Sequence, residues 1–136
     1  MTHRVSAVDD LLAQARCGLD RLTPEQAWHE TQAGALLVDT RTAAQRSRQG
    51  ELPGALVIDR TVLEWRLDPT SPARIPEAVD HGVRVIVVCR QGYSSSLAAA
   101  SLRSLGLTRS TDVVGGVEAW VAAGLPVSDE PADVRE

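Results

Sequence analysis

The chain has 136 residues, a formal net charge of −4 and 24% charged residues. That is enough for one domain with a real core, and it argues against nucleic acid or an anionic membrane as the main partner. All 14 cations are arginine, and Lys, Phe and Asn are absent, which excludes Schiff-base, P-loop and kinase-type lysine chemistry and leaves the core to Val, Leu, Ile and Ala.

Met1 to Arg4 are expected to fray. Ser6 to Arg16 places Val8, Leu11, Leu12 and Ala15 at helical spacing. Thr23-Pro24-Glu25-Gln26 reads as a helix start, with Thr23 as N-cap, Pro24 in the first turn and Gln26 at the capping-box position. That helix ends near Gly34. Ala35 to Val38 is a short buried strand running into Asp39-Thr40-Arg41, and Thr42 to Gln49 a short helix. Gly50 to Gly54 is a turn, Ala55 to Ile58 a strand, and Val62 to Leu67 a helical turn ending at Asp68-Pro69. Thr70 to Pro76 reads as a surface loop and Pro76 to His81 as a further helical piece. Val83 to Val88 is continuous, β-branched and apolar, the pattern of a central strand covered on both faces. Leu97, Ala98, Ser101, Leu102 and Leu105 make a helix face stopped by Gly106. Asp112 to Val114 is a strand, Gly115-Gly116 a turn, and Val117, Trp120 and Val121 a last helix stopped by Gly124 with Pro126 behind it. The expected fold is α/β, one domain with a mostly parallel, about five-stranded sheet and helices on both faces. The expected boundaries are an N-terminal helical extension over 1–18, the domain over 19–128 and a C-terminal tail over 129–136.

Two cysteines, Cys17 and Cys89, make neither a disulfide framework nor a zinc site, and His3, His29 and His81 show no ligating spacing, so no metal is expected. No signal-peptide pattern is visible, and the longest aliphatic run, Val85 to Val88, is too short to span a bilayer. The chain reads as cytoplasmic and reduced, where an isolated Cys is either core or chemistry.

In open parallel sheets the site forms beyond the carboxyl ends of the strands. Those ends carry Asp39-Thr40-Arg41, Asp59-Arg60, Cys89-Arg90-Gln91-Gly92-Tyr93-Ser94-Ser95 and Gly115-Gly116, so three Arg and one Cys are expected at one positive edge. A buried strand stopping at Cys89, followed by a Gly-bearing polar loop and a helix start, can form a nest of backbone N–H groups around the sulfur. Gly92 permits the turn, and Ser94 or Ser95 can cap the helix and donate a hydroxyl. An unperturbed cysteine is mostly protonated at neutral pH; such a nest would make Cys89 a thiolate and cradle an anionic substrate. Arg90, Gln91, Gly92, Tyr93, Ser94, Ser95, Arg41 and Arg60 are the candidate substrate contacts. Arg41 is also a candidate for a structural ion pair with Asp39 or Asp59, and Gly115 and Gly116 for a turn beside the site. Cys17 has no partner motif and reads as incidental.

Four segments then carry a family resemblance. Val38-Asp39-Thr40-Arg41, Gly50-Glu51-Leu52-Pro53-Gly54-Ala55, the Cys89 to Ser95 loop, and Val114-Gly115-Gly116-Val117-Glu118-Ala119-Trp120 with Ala123-Gly124-Leu125-Pro126-Val127 occur in the order seen in single-domain rhodaneses. The chain resembles that sulfurtransferase family over about residues 19 to 128. The resemblance implies a Cys89 persulfide. It would be formed from a small anionic sulfur donor such as thiosulfate and passed to a thiol or cyanide, or to a sulfur-accepting protein, with no cofactor. Departures from the family pattern are Glu51 in place of the turn His, Gln45 in place of an acidic residue, and an insert, Trp65-Arg66-Leu67-Asp68-Pro69. From that insert or the loop after it, Arg66 or Arg74 could reach the site.

Other readings stay open at this level. One is a non-catalytic module or persulfide carrier serving a protein partner. Another is a Cys-based phosphatase, although the arginine such enzymes place six residues after the Cys is Ser95 here. A third is an arsenate or thiol redox enzyme, which would need Cys17 near Cys89. The Arg- and Ala-rich composition points to a GC-rich bacterial genome.

Overall fold

The computed structural model describes residues 5–136, so the fraying expected of Met1 to Arg4 lies outside it. Among the described residues, five strands form one sheet: β1 (Leu36–Asp39), β2 (Leu56–Val57), β3 (Val85–Val88), β4 (Thr111–Asp112) and β5 (Asp133–Val134). Their order is β4-β3-β1-β2-β5, and every pairing is parallel. The helices are α1 (Ala7–Arg16), α2 (Pro24–Gln32), α3 (Ala43–Gln49), α4 (Leu63–Leu67), α5 (Ser94–Ser104) and α6 (Gly116–Ala122), with a 3-10 turn over Arg60–Val62.

The two faces of β3 explain its uninterrupted apolar run. Val85 and Val87 join Val38, Leu63, Leu67 and Leu102 on the face covered by α4 and α5. Ile86 and Val88 join Leu37, Ala27, Val117 and Trp120 on the face covered by α2 and α6. Side chains alternate across a strand, so a strand buried on both faces needs no polar position. Trp120 is fully buried. It meets Trp28 edge to face with centroids 5.8 Å apart, and its Nε1–H donates to the Pro126 carbonyl at 2.9 Å. That bond ties the last helix to the segment that follows it.

Helix starts follow from local chemistry. Thr23 and Gln26 form the expected capping box, and Thr42 and Gln45 form a second one on α3. Each cap satisfies donors that a helix start leaves free, an effect of about 1 kcal/mol.

Three local expectations change. Residues 76–81 make turns rather than a helix: Ala78 and Val79 bond back only to Ile75 and Glu77, and Asp80 takes the Gly82 N–H at 2.8 Å, a side-chain turn that competes with helix continuation. The fourth strand is Thr111–Asp112 rather than Asp112 to Val114. Beyond Asp112 one bond to β3 remains, Val113 N–H to Val87 O at 3.2 Å, and on its other edge the chain makes only a single parallel bridge to Leu22, whose N–H goes to Asp112 O at 3.0 Å while Val114 N–H goes to Leu22 O at 2.8 Å. The loop over Thr70 to Pro76 is not wholly superficial, since Ile75 is buried in the core. The edge strand β5 comes from residues 129–136, where Arg135 bridges Glu77 and Asp133.

The topology also fixes where a site can form. From β1 the chain moves to β2 on one side, then crosses back to β3 and β4 on the other. The reversal leaves a crevice beyond the carboxyl ends of β1 and β3, where Asp39 and Val88 are paired neighbours. Cys89 is the next residue.

Candidate active site

Cys89 is buried and unlinked, at the bottom of a cleft of about 230 Å³ lined by Thr40, Arg41, Gln45, Arg90, Gln91, Tyr93 and Ser94. The Gly92 N–H points at Cys89 Sγ from 3.2 Å. Burial pushes the thiol pKa up. Against it act the Ser95 and Ser94 hydroxyls and the Ser95 and Gly92 N–H groups, which together outweigh burial and hold the thiol below its ordinary value. The N–H groups at the start of α5 are free for this because a helix start has no intrahelical acceptor for them.

The loop can curl this tightly because of two glycines. Gly92 has φ +83°, and a Cβ there would lie 2.7 Å from the Gly115 nitrogen. Gly116 has φ +61°, and its Cβ would run into the Cys89 carbonyl. Backbone therefore packs directly on backbone. The first N–H groups of α6 complete the joint, with Val117 donating to the Cys89 carbonyl at 2.9 Å and Glu118 to the Arg90 carbonyl at 3.0 Å. Gly115-Gly116 thus braces the loop from below.

Behind the loop lies a buried carboxylate that the sequence reading missed. Asp112 has no exposed surface and accepts the Ser95 and Ser96 hydroxyls, each at 2.8 Å. Arg21 neutralises it, with Nε at 2.8 Å and Nη2 at 3.2 Å. Ser95 has one hydrogen and two claimants, Asp112 and the sulfur. Asp112 keeps Ser96 and Arg21 whichever way that hydrogen turns, so Ser95 is free to serve a thiolate. The available signal was an Asp at a strand's carboxyl end, hidden by the misplaced strand boundary. Thr40 and Gln45 were also missed as cleft residues. Gln45 Oε1 caps α3 at the Thr42 N–H, so one residue serves both helix and cleft.

The expected positive edge is neutralised residue by residue. Arg41 is fully buried against Asp39, with Nη2 to Oδ2 at 2.7 Å, and the same Nη2 also donates to the Gly50 carbonyl at 2.9 Å; it lines the cleft as part of the frame. Asp59 is not its partner. Asp59 caps the 3-10 turn through Thr61. Arg60 pairs with Glu64 and lies outside the cleft lining. Arg90 is on the cleft rim but reaches sideways to Glu118 at 3.0 Å. Arg66 and Arg74 bond carbonyls of their own loop, at Ala73, Ile75 and Ala78, and neither lines the cleft. Glu51 pairs with Arg46 at 2.8 Å. Tyr93 stands at the rim, 59% exposed.

Comparison with known proteins agrees with this geometry. Residues 23–123 match the Rhodanese-like domain family. The chain is 35% identical over 107 residues to the thiosulfate sulfurtransferase GlpE of Actinobacillus succinogenes, covering 78% of this chain and 87% of that protein. It is 38% identical over 92 residues to a sulfurtransferase of Allochromatium vinosum, covering 68% and 77%. Among solved structures, a Rhodopseudomonas palustris protein described as a possible tyrosine phosphatase superposes with TM-score 0.81 at 29% identity, over 94% of this chain and 99% of that one. The polysulfide-sulfur transferase homodimer of Wolinella succinogenes shares the fold, with TM-score 0.70 over 90% and 87%. The chain belongs to the rhodanese-like domain family and is a rhodanese-type sulfurtransferase.

Proposed function

We propose that Cys89 carries the transferred sulfur as a persulfide, taken from a small anionic donor such as thiosulfate and given to a thiol, cyanide or a sulfur-accepting protein. The observation that carries this reading is a buried cysteine lining the cleft whose Sγ accepts the Gly92 N–H at 3.2 Å, with the neighbouring Ser94 and Ser95 helping to hold its thiol pKa below the ordinary value.

The steps balance without a redox partner. The Cys89 thiolate attacks the sulfane sulfur of thiosulfate. A bond from Sγ to that sulfur forms, the donor's S–S bond breaks, and sulfite leaves with the electron pair. The negative charge now rests on the outer persulfide sulfur, within reach of the donors at the start of α5. An acceptor such as cyanide then attacks the outer sulfur, thiocyanate leaves, and the thiolate returns. This is nucleophilic covalent catalysis in which backbone donors, already in place, stabilise the anions. Ser95 stands where a cysteine phosphatase has its phosphate-clamping arginine, and its hydroxyl donates to Asp112 at 2.8 Å. That favours sulfur transfer over phosphate chemistry.

The compartment proposed is the bacterial cytoplasm. Both cysteines are unlinked thiols, and no helix among the described residues is long and apolar enough to cross a membrane. The test is intact-mass spectrometry after parallel incubation with thiosulfate, mercaptopyruvate and a cysteine-persulfide donor. One added sulfur, lost in Cys89→Ser and discharged by cyanide, is expected. Loading that survives Cys89→Ser overturns the reading. Full loading with slow cyanide turnover assigns a carrier role toward a protein acceptor.

A further inference from the structure

The Gly92 carbonyl accepts two guanidinium arms, Arg16 Nη2 at 2.9 Å and Arg21 Nη2 at 3.1 Å. Both arginines precede residue 23, where the family match begins. Each is held at a second point. Arg16 Nε donates to Ser96 Oγ at 2.9 Å, and Ser96 in turn donates to Asp112. Arg21 is clamped on Asp112. The bases of the two arms are fixed by α1, which packs along α5, and by Leu22, whose N–H and carbonyl bond Asp112 and Val114.

The peptide that follows Gly92 is trans, as are all described peptides. In a trans peptide the C=O and the next N–H point in opposite directions. Two cations drawing the Gly92 oxygen to one side therefore turn the Tyr93 N–H to the other, and Tyr93 is itself one of the residues that line the cleft. They also polarise that peptide and strengthen its N–H as a donor.

The charges around Cys89 show which residue matters most. On β1, Arg41 is paired with Asp39; on the loop and α6, Arg90 is paired with Glu118; on β4, Asp112 is paired with Arg21. Arg16 bonds only neutral oxygens, Ser96 Oγ and the Gly92 carbonyl, so among the described residues it leaves an unbalanced positive charge behind the cradle.

We propose that Arg16 and Arg21 are positioning residues for sulfur transfer: the N-terminal segment holds the Gly92–Tyr93 peptide so that the cradle's N–H groups converge on the Cys89 persulfide. This rests on the persulfide reading above. α1 and the segment to Leu22 are then the rear wall of the active site rather than an appendage to the domain.

The test uses the full chain in a Cys17→Ser background, so that alkylation reports Cys89 alone. Arg16→Gln removes no partner of a buried charge, and Arg21→Lys keeps a charge beside Asp112 while losing the second arm. Arg84→Gln serves as a stability control, because Arg84 bridges Asp20 and Glu30 away from the cleft. Arg16→Gln is expected to move the pH midpoint of Cys89 alkylation upward. It should also slow persulfide loading about tenfold, less than the ~100-fold typical of deleting a transition-state donor outright, because the backbone N–H remains. Arg16→Lys should recover part of both. Arg84→Gln should lower the melting temperature without moving the midpoint. If Arg16→Gln melts cooperatively yet titrates and loads like its parent, the inference is overturned. Should it not fold, the midpoint of Arg21→Lys decides in the same way. A parent that never loads Cys89 overturns the functional reading instead, whereas a parent that loads normally beside unshifted variants overturns this inference alone.

Discussion

The N–H of Val117 donates to the carbonyl of Cys89 at 2.9 Å, so the first turn of α6 is capped by the backbone of the proposed nucleophile. The contact is possible because Gly116, one residue earlier, has φ +61° and no side chain to strike that carbonyl. Helix and loop therefore stand or fall together. Gly116→Ala should cost at least about 2 kcal/mol of stability from backbone strain and displacement. It should also abolish persulfide loading before the chain unfolds. Urea unfolding and intact-mass loading on the same sample check both; a variant that loads at the normal rate would contradict the brace.

Cys89 should load sulfur at a rate that falls as pH drops through its lowered pKa and is flat above it. The sign follows from the donors, which bond the charged form and win over burial. Free cysteine in parallel should keep gaining rate into the alkaline range after Cys89 has reached its plateau. By linkage, the same lowering stabilises the folded chain above the unfolded thiol's pKa, and this is lost as pH falls through the folded one. Cys89→Ser should flatten that part of the stability curve, measured by urea midpoints across pH.

Asp39 and Arg41 are buried at both ends of their ion pair. Arg41→Met leaves an unpaired carboxylate in the core and should cost about 3–5 kcal/mol, whereas replacing both partners by apolar residues should restore much of it. Equilibrium unfolding of the two single variants and the double variant tests this. Additive losses would show that the pair is not coupled.

Arg90 and Glu118 are different in kind, with side chains 48% and 45% exposed. Their bond adds little stability, under about 1 kcal/mol. It nevertheless diverts the rim's guanidinium from the cleft. Glu118→Gln should leave the melting temperature nearly unchanged and lower KM for thiosulfate at low ionic strength, with the gain shrinking as salt is raised. A KM that is unchanged at low salt would remove Glu118 as a modulator of donor binding.

The sequence by itself determined the α/β class and the parallel sheet, and it singled out Cys89 as the candidate nucleophile. Its signals there are short-range and physical. Val85 to Val88 is apolar at every position because both faces of β3 are covered. Thr23 and Gln26 announce a helix start, and Cys89 sits where a buried strand gives way to a Gly-bearing loop and a helix. The family's ordered motifs mark the same loop.

Tertiary structure alone decided which charges face the site. The arginines at strand ends suggested a positive edge, yet each meets a carboxylate: Arg41 takes Asp39 rather than Asp59, Arg60 takes Glu64, and Arg90 takes Glu118, twenty-eight residues away on α6. Conversely Arg16 and Arg21, which looked like parts of an extension, reach across more than seventy residues of sequence to the Gly92 carbonyl. Guanidinium arms are long and bond wherever a carboxylate or carbonyl comes within about 3 Å. Their partners are set by how helices dock on the sheet, a three-dimensional fact that periodicity along the chain does not encode.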